Sequence, residues 1–167
     1  AGVWPPQKHD FGATINVAIH MARAHARGYR TIKALRPDAQ VGFAKHMVVW
    51  NPRRIWLPLD YWISRTINAV SNHAFLQMLT QGETRIPGRG QVRIPEAQDT
   101  LDWLGINYYQ RYRVGIHLIG ALRSLLPGFD ADWLYQGTRR GQPKGPGSWG
   151  EFHPEGLYES LSAVLQY

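Results

Sequence analysis

Histidine is the residue type in this chain best suited to metal or acid–base chemistry, and there are seven. His20 and His25 lie five residues apart on a predicted helix, whereas two ligands on one helix face need a spacing of three or four. His73 falls on a second predicted helix, His46 lies towards the end of a predicted strand, and His9, His117 and His153 lie in loop-like sequence. The chain has no cysteine, which excludes thiolate metal sites, disulfides and a Cys nucleophile. The sequence therefore predicts no metal site and no cofactor.

Aromatic side chains are abundant, with seven Trp, eight Tyr and five Phe. Flat aromatic faces stack on sugar rings or nucleobases, although the same side chains also fill cores and interfaces. The formal net charge of +7 raises the possibility of nucleic-acid binding. The basic residues concentrate in two loop-like stretches, 85–93 and 139–144, and no predicted helix carries a basic stripe. We therefore expect a scattered basic surface and no nucleic-acid partner.

Targeting signals are not evident in the sequence. The N-terminus has no charged segment followed by an apolar run, and no stretch approaches the ~18 apolar residues of a membrane span. Membrane insertion is not predicted, and the absence of cysteine fits a cytoplasmic protein.

The hydrophobic pattern predicts the elements that must position any functional residues. Apolar residues at three- and four-residue spacing predict long helices, and short Val-rich runs predict buried strands. The predicted order is a helix at 13–35, a strand at 41–49 that Asn51-Pro52 ends, a helix at 58–80, a strand at 101–109, an irregular stretch at 110–153, and a helix from Pro154. The last helix reaches Tyr167 without a capping signal, which suggests a truncated chain. Alternating helices and buried strands indicate an α/β fold with parallel strands, either doubly wound or part of a barrel.

Four stretches together resemble the family 1 glycoside hydrolases, in the family's order and at about its spacing. They are Ala24-His-Ala26 followed by Pro37–Gly42, Asn72–Leu76 with Gly82-Glu83, Asp102-Trp-Leu-Gly-Ile-Asn-Tyr-Tyr109, and Glu151-Phe-His-Pro-Glu-Gly-Leu-Tyr158. The resemblance implies that residues 1–167 form one segment of a (β/α)8 TIM barrel, from its helix four to its helix six, with about two strands and three long helices. A complete barrel takes roughly 250 residues, more than this chain has.

The two catalytic glutamates of that family are not found in this sequence. They occur in Asn-Glu-Pro and Glu-Asn-Gly motifs, and neither motif is present. Retaining glycosidases need two carboxyls about 5–5.5 Å apart. The chain has twelve Asp and Glu residues, and those considered, such as Asp60, Glu83, Glu96, Glu155 and Glu159, lie in predicted helices or connections and offer no such pair. The resemblance thus implies part of a retaining β-glycosidase that is inactive as this chain alone. The alternative is an inactive truncated barrel that acts as a carbohydrate-binding or assembly module.

Four residues are candidates for a supporting role around the substrate. Asn107 and Tyr109 match the family's Asn-Tyr-Tyr, in which the asparagine lies beside the site and the second tyrosine hydrogen-bonds the nucleophile. Trp149 stands next to the position of a family tryptophan and could supply an aglycone platform. His46, at the predicted end of its strand, could bond sugar or a catalytic neighbour. The structural alternatives are a strand-end Asn turn, a packed Tyr and a locally satisfied His.

Partners follow from the same resemblance. We expect a β-glycoside substrate, together with the remaining barrel segments or another chain. Open parallel edges and unpacked helices also predict association into an oligomer.

Overall fold

The computed structural model describes residues 10–117, 134–137 and 151–167. The elements are α1 (Phe11–Leu35), β1 (Gly42–Pro52), α2 (Pro58–Asn68), a π-helical turn (Ala69–His73), α3 (Ala74–Thr80), β2 (Glu83–Ile86), β3 (Gly90–Arg93), a 3-10 turn (Pro95–Ala97), β4 (Trp103–Ile116), β5 (Leu134–Gly137) and α4 (Glu155–Val164). Helices and strands alternate over most of this length, as the hydrophobic pattern predicts.

The strands form a three-stranded sheet in the order β1-β4-β5 and a separate β2–β3 hairpin. Asp102 N donates to Val41 O (2.8 Å) at the start of β1 and β4, and Arg53 N donates to Val114 O (2.7 Å) at their ends. The two strands therefore run in the same direction. β5 is antiparallel to the end of β4, with Gly137 opposite Arg113 and Leu134 opposite Ile116.

The contacts divide the chain into two compact units. The first holds the described residues up to Phe43, the segment Ala74–Gly105 and Tyr167. Its core includes one face of α1, where the buried residues recur at three- and four-residue spacing: Ile15, Ile19, Ala22 and Ala26. The hairpin and α3 add buried apolar side chains, and Gly82 takes a positive φ of 70° just after α3, where a side chain would be strained.

The second unit holds Ala44–His73 and the described part of 106–166. It contains most of β1, α2, the π turn, the end of β4, the pairing of β5 and helix α4. Its buried apolar residues include Met47, Val48 and Val49 of β1 and Val114 of β4. The candidate residues for function that the structure describes all lie in this unit.

Several sequence predictions differ from the structure. β1 continues through Pro52, so Asn51-Pro52 does not end the strand. The stretch predicted to be irregular contains the second half of β4, to Ile116, and the strand β5. The β2–β3 hairpin was not predicted, and the part of the chain that the structure describes contains five strands where about two were expected. The last helix ends at Val164 and not at the chain terminus.

The physical reason is that pairing, and not propensity, decides these segments. Residues 110–116 have mixed polarity, and they are extended because β4 pairs with β1 on one side and, at residues 113–116, with β5 on the other. Arg111 also pairs across a short bridge with Glu151.

Candidate functional site

His46 and Tyr109 are brought together on one face of the β1–β4 pair. Their ring centroids are 5.3 Å apart, with the ring planes inclined at 57°. Asn107 lies two residues before Tyr109 on β4 and shares its face, because side chains alternate along a strand. His46 and Asn107 are exposed, and Tyr109 is 53% exposed. Three of the four predicted site residues therefore share one open face.

The opposite face of the same strands is held by helical segments. Lys45, next to His46, donates from Nζ to the carbonyl of Ser71 in the π turn (2.8 Å). Tyr108, next to Tyr109, donates its hydroxyl hydrogen to the carbonyl of His153 just before α4 (2.7 Å). Strand alternation then directs His46 and Tyr109 away from these helical segments. The exposed face is the one that would point to the interior of a barrel.

His46 differs from its predicted position. It lies at the fifth residue of an 11-residue strand and not at the strand end, because β1 extends to Pro52. Trp149 lies outside the described residues, so its predicted role as a platform remains a prediction.

The π turn fixes β1 beside His46. The side-chain amide of Asn72 accepts a hydrogen bond from Val48 N (3.2 Å) and donates one to Val48 O (2.7 Å). Trp50 Nε1 donates to Ser71 Oγ (2.8 Å), so two consecutive residues of the turn contact the strand. Single π turns are frequent at functional sites. The motif asparagine thus acts as a pairing partner for a strand peptide.

Burial and the positive charge of Lys45 both affect the pKa values of the side chains around His46. Burial lowers the pKa of Lys45 to about 8. The pKa of His46 is lowered as well, first because its ring is partly desolvated and second because the Lys45 charge repels an imidazolium. His46 is therefore biased towards the neutral imidazole, which offers one donor and one acceptor nitrogen.

A buried carboxylate ties together the carboxyl ends of β1 and β4. Asp60, in the first turn of α2, accepts hydrogen bonds from Arg54 Nε (2.7 Å), Arg54 Nη2 (2.9 Å), Arg54 N (3.2 Å) and Ile116 N (2.9 Å). Its side chain is fully buried. Burial alone would raise the pKa of Asp60, but the hydrogen bond from Arg54 and the amide of Ile116 lower it overall. Gly115 has no space for a Cβ because the Asp60 carboxylate lies against it.

Glu151 is a second buried carboxylate, and the sequence did not single it out as an ion-pair residue. It accepts from Arg111 Nη2 (2.7 Å) and from Arg113 Nε (3.3 Å), and its own side chain is fully buried. Burial alone would raise the pKa of Glu151, but the hydrogen bond from Arg111 and the charges of Arg113 and Arg111 lower it overall. The residue anchors the segment that leads into α4.

The carboxylates considered from the sequence are all engaged with partners. Glu83 accepts from Gln91 (2.8 Å), and it lies in β2 and not in a helix or connection. Glu96 pairs with Arg23 (3.0 Å). Glu155 and Glu159 contact the two ring nitrogens of His153, at 3.1 and 2.7 Å. These contacts support structure, and we assign catalysis to none of them.

Among residues 10–117, 134–137 and 151–167, no helix is long and apolar enough to cross a membrane. Nor do the same ranges bring three or more His, Asp or Glu side chains together in a way that could hold a metal ion.

Comparisons with known proteins give a consistent result. No protein-family model matches the chain. It is 30% identical over 159 residues to a β-galactosidase of Sulfolobus acidocaldarius, covering 95% of this chain and 30% of that protein. It is 25% identical over 174 residues to the 6-phospho-β-glucosidase GmuD of Bacillus subtilis, covering 93% of this chain and 36% of that protein. A family 1 β-glucosidase from Thermotoga maritima matches in structure with a TM-score of 0.76 and 23% identity, over 99% of this chain and 37% of that one.

These matches confirm the resemblance to family 1 glycoside hydrolases and the fold of a partial TIM barrel. The chain spans about a third of the length of the relatives it matches.

Proposed function

We propose that this chain is the segment from helix four to helix six of a retaining β-glycosidase, and that both catalytic glutamates lie in the rest of that protein. The observation that carries the proposal is the contact between His46 and Tyr109 on the exposed face of β1 and β4. In a TIM barrel this face borders the interior, and catalytic groups come from the carboxyl ends of different strands. A chain with two of eight strands can supply only part of such a site.

The residues of the open face suit a supporting role in glycoside hydrolysis. Tyr109 offers a phenolic hydroxyl that can donate to a carboxylate nucleophile, and Asn107 offers both a donor and an acceptor to sugar hydroxyls. The retaining mechanism needs one carboxyl to protonate the leaving oxygen and another to attack the anomeric carbon. Hydrogen bonds that orient the nucleophile therefore act on the reacting group itself. His46, as a neutral imidazole, can donate a hydrogen bond to a sugar hydroxyl or accept one from it.

The test uses the intact protein that carries this sequence, isolated from its source and assayed on an aryl β-glucoside. We expect a mass well above the 19.0 kDa of this chain. Tyr109→Phe should lower kcat by roughly 100- to 1000-fold, the range for removing one hydrogen bond made in the transition state. The matched control is Tyr158→Phe, because Tyr158 is 76% exposed on α4.

Two results would contradict the proposal. One is turnover by the 167-residue chain alone, since the two carboxyls would then have to lie within it. The other is an intact protein that does not hydrolyse glycosides but binds them, with binding that Asn107→Ala abolishes. That outcome would identify a carbohydrate-binding module in place of an enzyme.

A further inference from the structure

Lys45 is an unusual residue in the second unit. Its side chain is half-buried, burial lowers its pKa, and its ammonium donates to two backbone carbonyls, His46 O at 2.6 Å and Ser71 O at 2.8 Å. No carboxylate lies within 4.0 Å of it among residues 10–117 and 151–167. A charge removed from water without a counter-ion is costly, and buried charges are ordinarily paired. The position therefore calls for a reason beyond packing.

The contacts of Lys45 connect it directly to the candidate site. One hydrogen bond reaches the carbonyl of the adjacent residue, His46, and the other reaches the π turn that also holds β1 through Asn72. The lysine thus fastens the strand at the residue whose ring contacts Tyr109 on the opposite face. A shift of the strand at this point would move the imidazole.

We infer that Lys45 is a positioning residue for His46: it fastens β1 to the π turn, and its positive charge disfavours the imidazolium form of the neighbouring ring. This inference rests on the proposed function, in which His46 faces the sugar. A neutral imidazole can accept a hydrogen bond from one sugar hydroxyl and donate to another, whereas an imidazolium can only donate. The lysine would add to the effect of burial, which already favours the neutral form.

The pKa values of the two histidines near Lys45 are both lowered, as this inference requires. The pKa of His46 is lowered by burial and then by Lys45, and the pKa of His73, at the end of the π turn, is lowered by burial and then by Lys45. Tyr109 faces His46 from β4. Lys45 is thus a named cause of both histidine shifts.

The experiment is an NMR titration of the histidine rings in the intact protein, with the His46 signal assigned by its loss in His46→Gln. Lys45→Met should raise the titration midpoint of His46 by about 0.5 to 1 pH unit, as expected for one charge at short range in a partly desolvated site. The midpoint of His73 should rise in the same variant. Lys45→Arg keeps the charge and should leave both midpoints near their original values.

Lys33→Met is the matched control, because the charge of Lys33 is already paired with Asp102 at 2.7 Å. It should move neither midpoint. Lys45→Gln, which keeps a hydrogen-bond donor and loses the charge, replaces Lys45→Met if that variant does not fold, and the same shift is expected. An unchanged His46 midpoint in both uncharged variants would overturn the inference.

A kinetic measurement separates this inference from the proposed function. If His46 binds the substrate, the acidic limb of the KM profile for an aryl β-glucoside should shift to higher pH in Lys45→Met, together with the NMR midpoint. A shifted midpoint with an unmoved KM profile would support the action of Lys45 on His46 and would contradict the role of His46 in the site.

Discussion

Replacement of Asp60 by Asn tests how strongly the carboxyl ends of β1 and β4 depend on one buried charge. The four hydrogen bonds that Asp60 accepts all require acceptor atoms. Asparagine has nearly the same shape, but its amide nitrogen would face a donor of Arg54 or Ile116. The guanidinium would also lose its buried counter-ion.

The magnitude follows from the burial of the two partners. Removing one partner of a buried ion pair costs about 3–5 kcal/mol. The Asp60 side chain is fully buried, but the Arg54 side chain is 25% exposed and can regain some hydration. We therefore expect Asp60→Asn to lower the free energy of unfolding by about 2–4 kcal/mol at pH 7. Arg54→Met combined with Asp60→Asn should cost less than the sum of the single changes, because no unpaired charge remains.

The assay is urea unfolding of the intact protein, followed by tryptophan fluorescence, as a function of pH. Because the pKa of Asp60 is lowered on folding, its contribution is fully present above the ordinary Asp pKa of about 4. The contribution is lost as the pH falls through the lowered value. The difference between wild type and Asp60→Asn should therefore shrink on acidification. A cost below about 1 kcal/mol at pH 7, or a cost independent of pH down to 2, would refute this reasoning.

Three further changes probe the supporting contacts by the same unfolding assay. Gly115→Ala should cost about 1–3 kcal/mol because a Cβ has no space there, whereas Gly28→Ala, with open space in α1, should be neutral or stabilising; equal effects would contradict the close approach. Asn72→Ala leaves a buried strand N–H and C=O unpaired and should cost about 1–3 kcal/mol, more than the control Asn16→Ala at an exposed position of α1. Glu151→Gln should remove a stabilising contribution that is present above the ordinary Glu pKa and lost as the pH falls through the lowered one; an unchanged acid sensitivity of unfolding would contradict it.

The long elements and their order could be predicted from the sequence. The apolar spacing of α1 predicts a helix at 13–35, and the structure places it at 11–35. The strand alternation that puts Asn107 and Tyr109 on one face is a local property of extended chain, so it does not depend on distant partners. The resemblance to family 1 glycoside hydrolases also rests on short motifs that are readable without a structure.

The partners of the charged residues could not be predicted. The sequence placed Asp60 in a helix. Only the structure shows that its carboxylate bonds Arg54, just after β1, and Ile116, at the end of β4. Glu151 meets Arg111 forty residues away, and no periodicity relates them. The hairpin at 83–93 was not predicted because its two strands are only four residues long and contain few buried side chains.

The contact between His46 and Tyr109 shows most clearly which features depend on sequence and which on tertiary structure. The sequence determines towards which face of its strand each side chain points, since side-chain alternation follows from backbone geometry within a few residues. Only the tertiary structure decides that the centroids of the two rings lie 5.3 Å apart and that Lys45 bonds both the His46 carbonyl and the π turn. Such contacts depend on strand pairing and on the π turn, which bring together residues that are far apart along the chain.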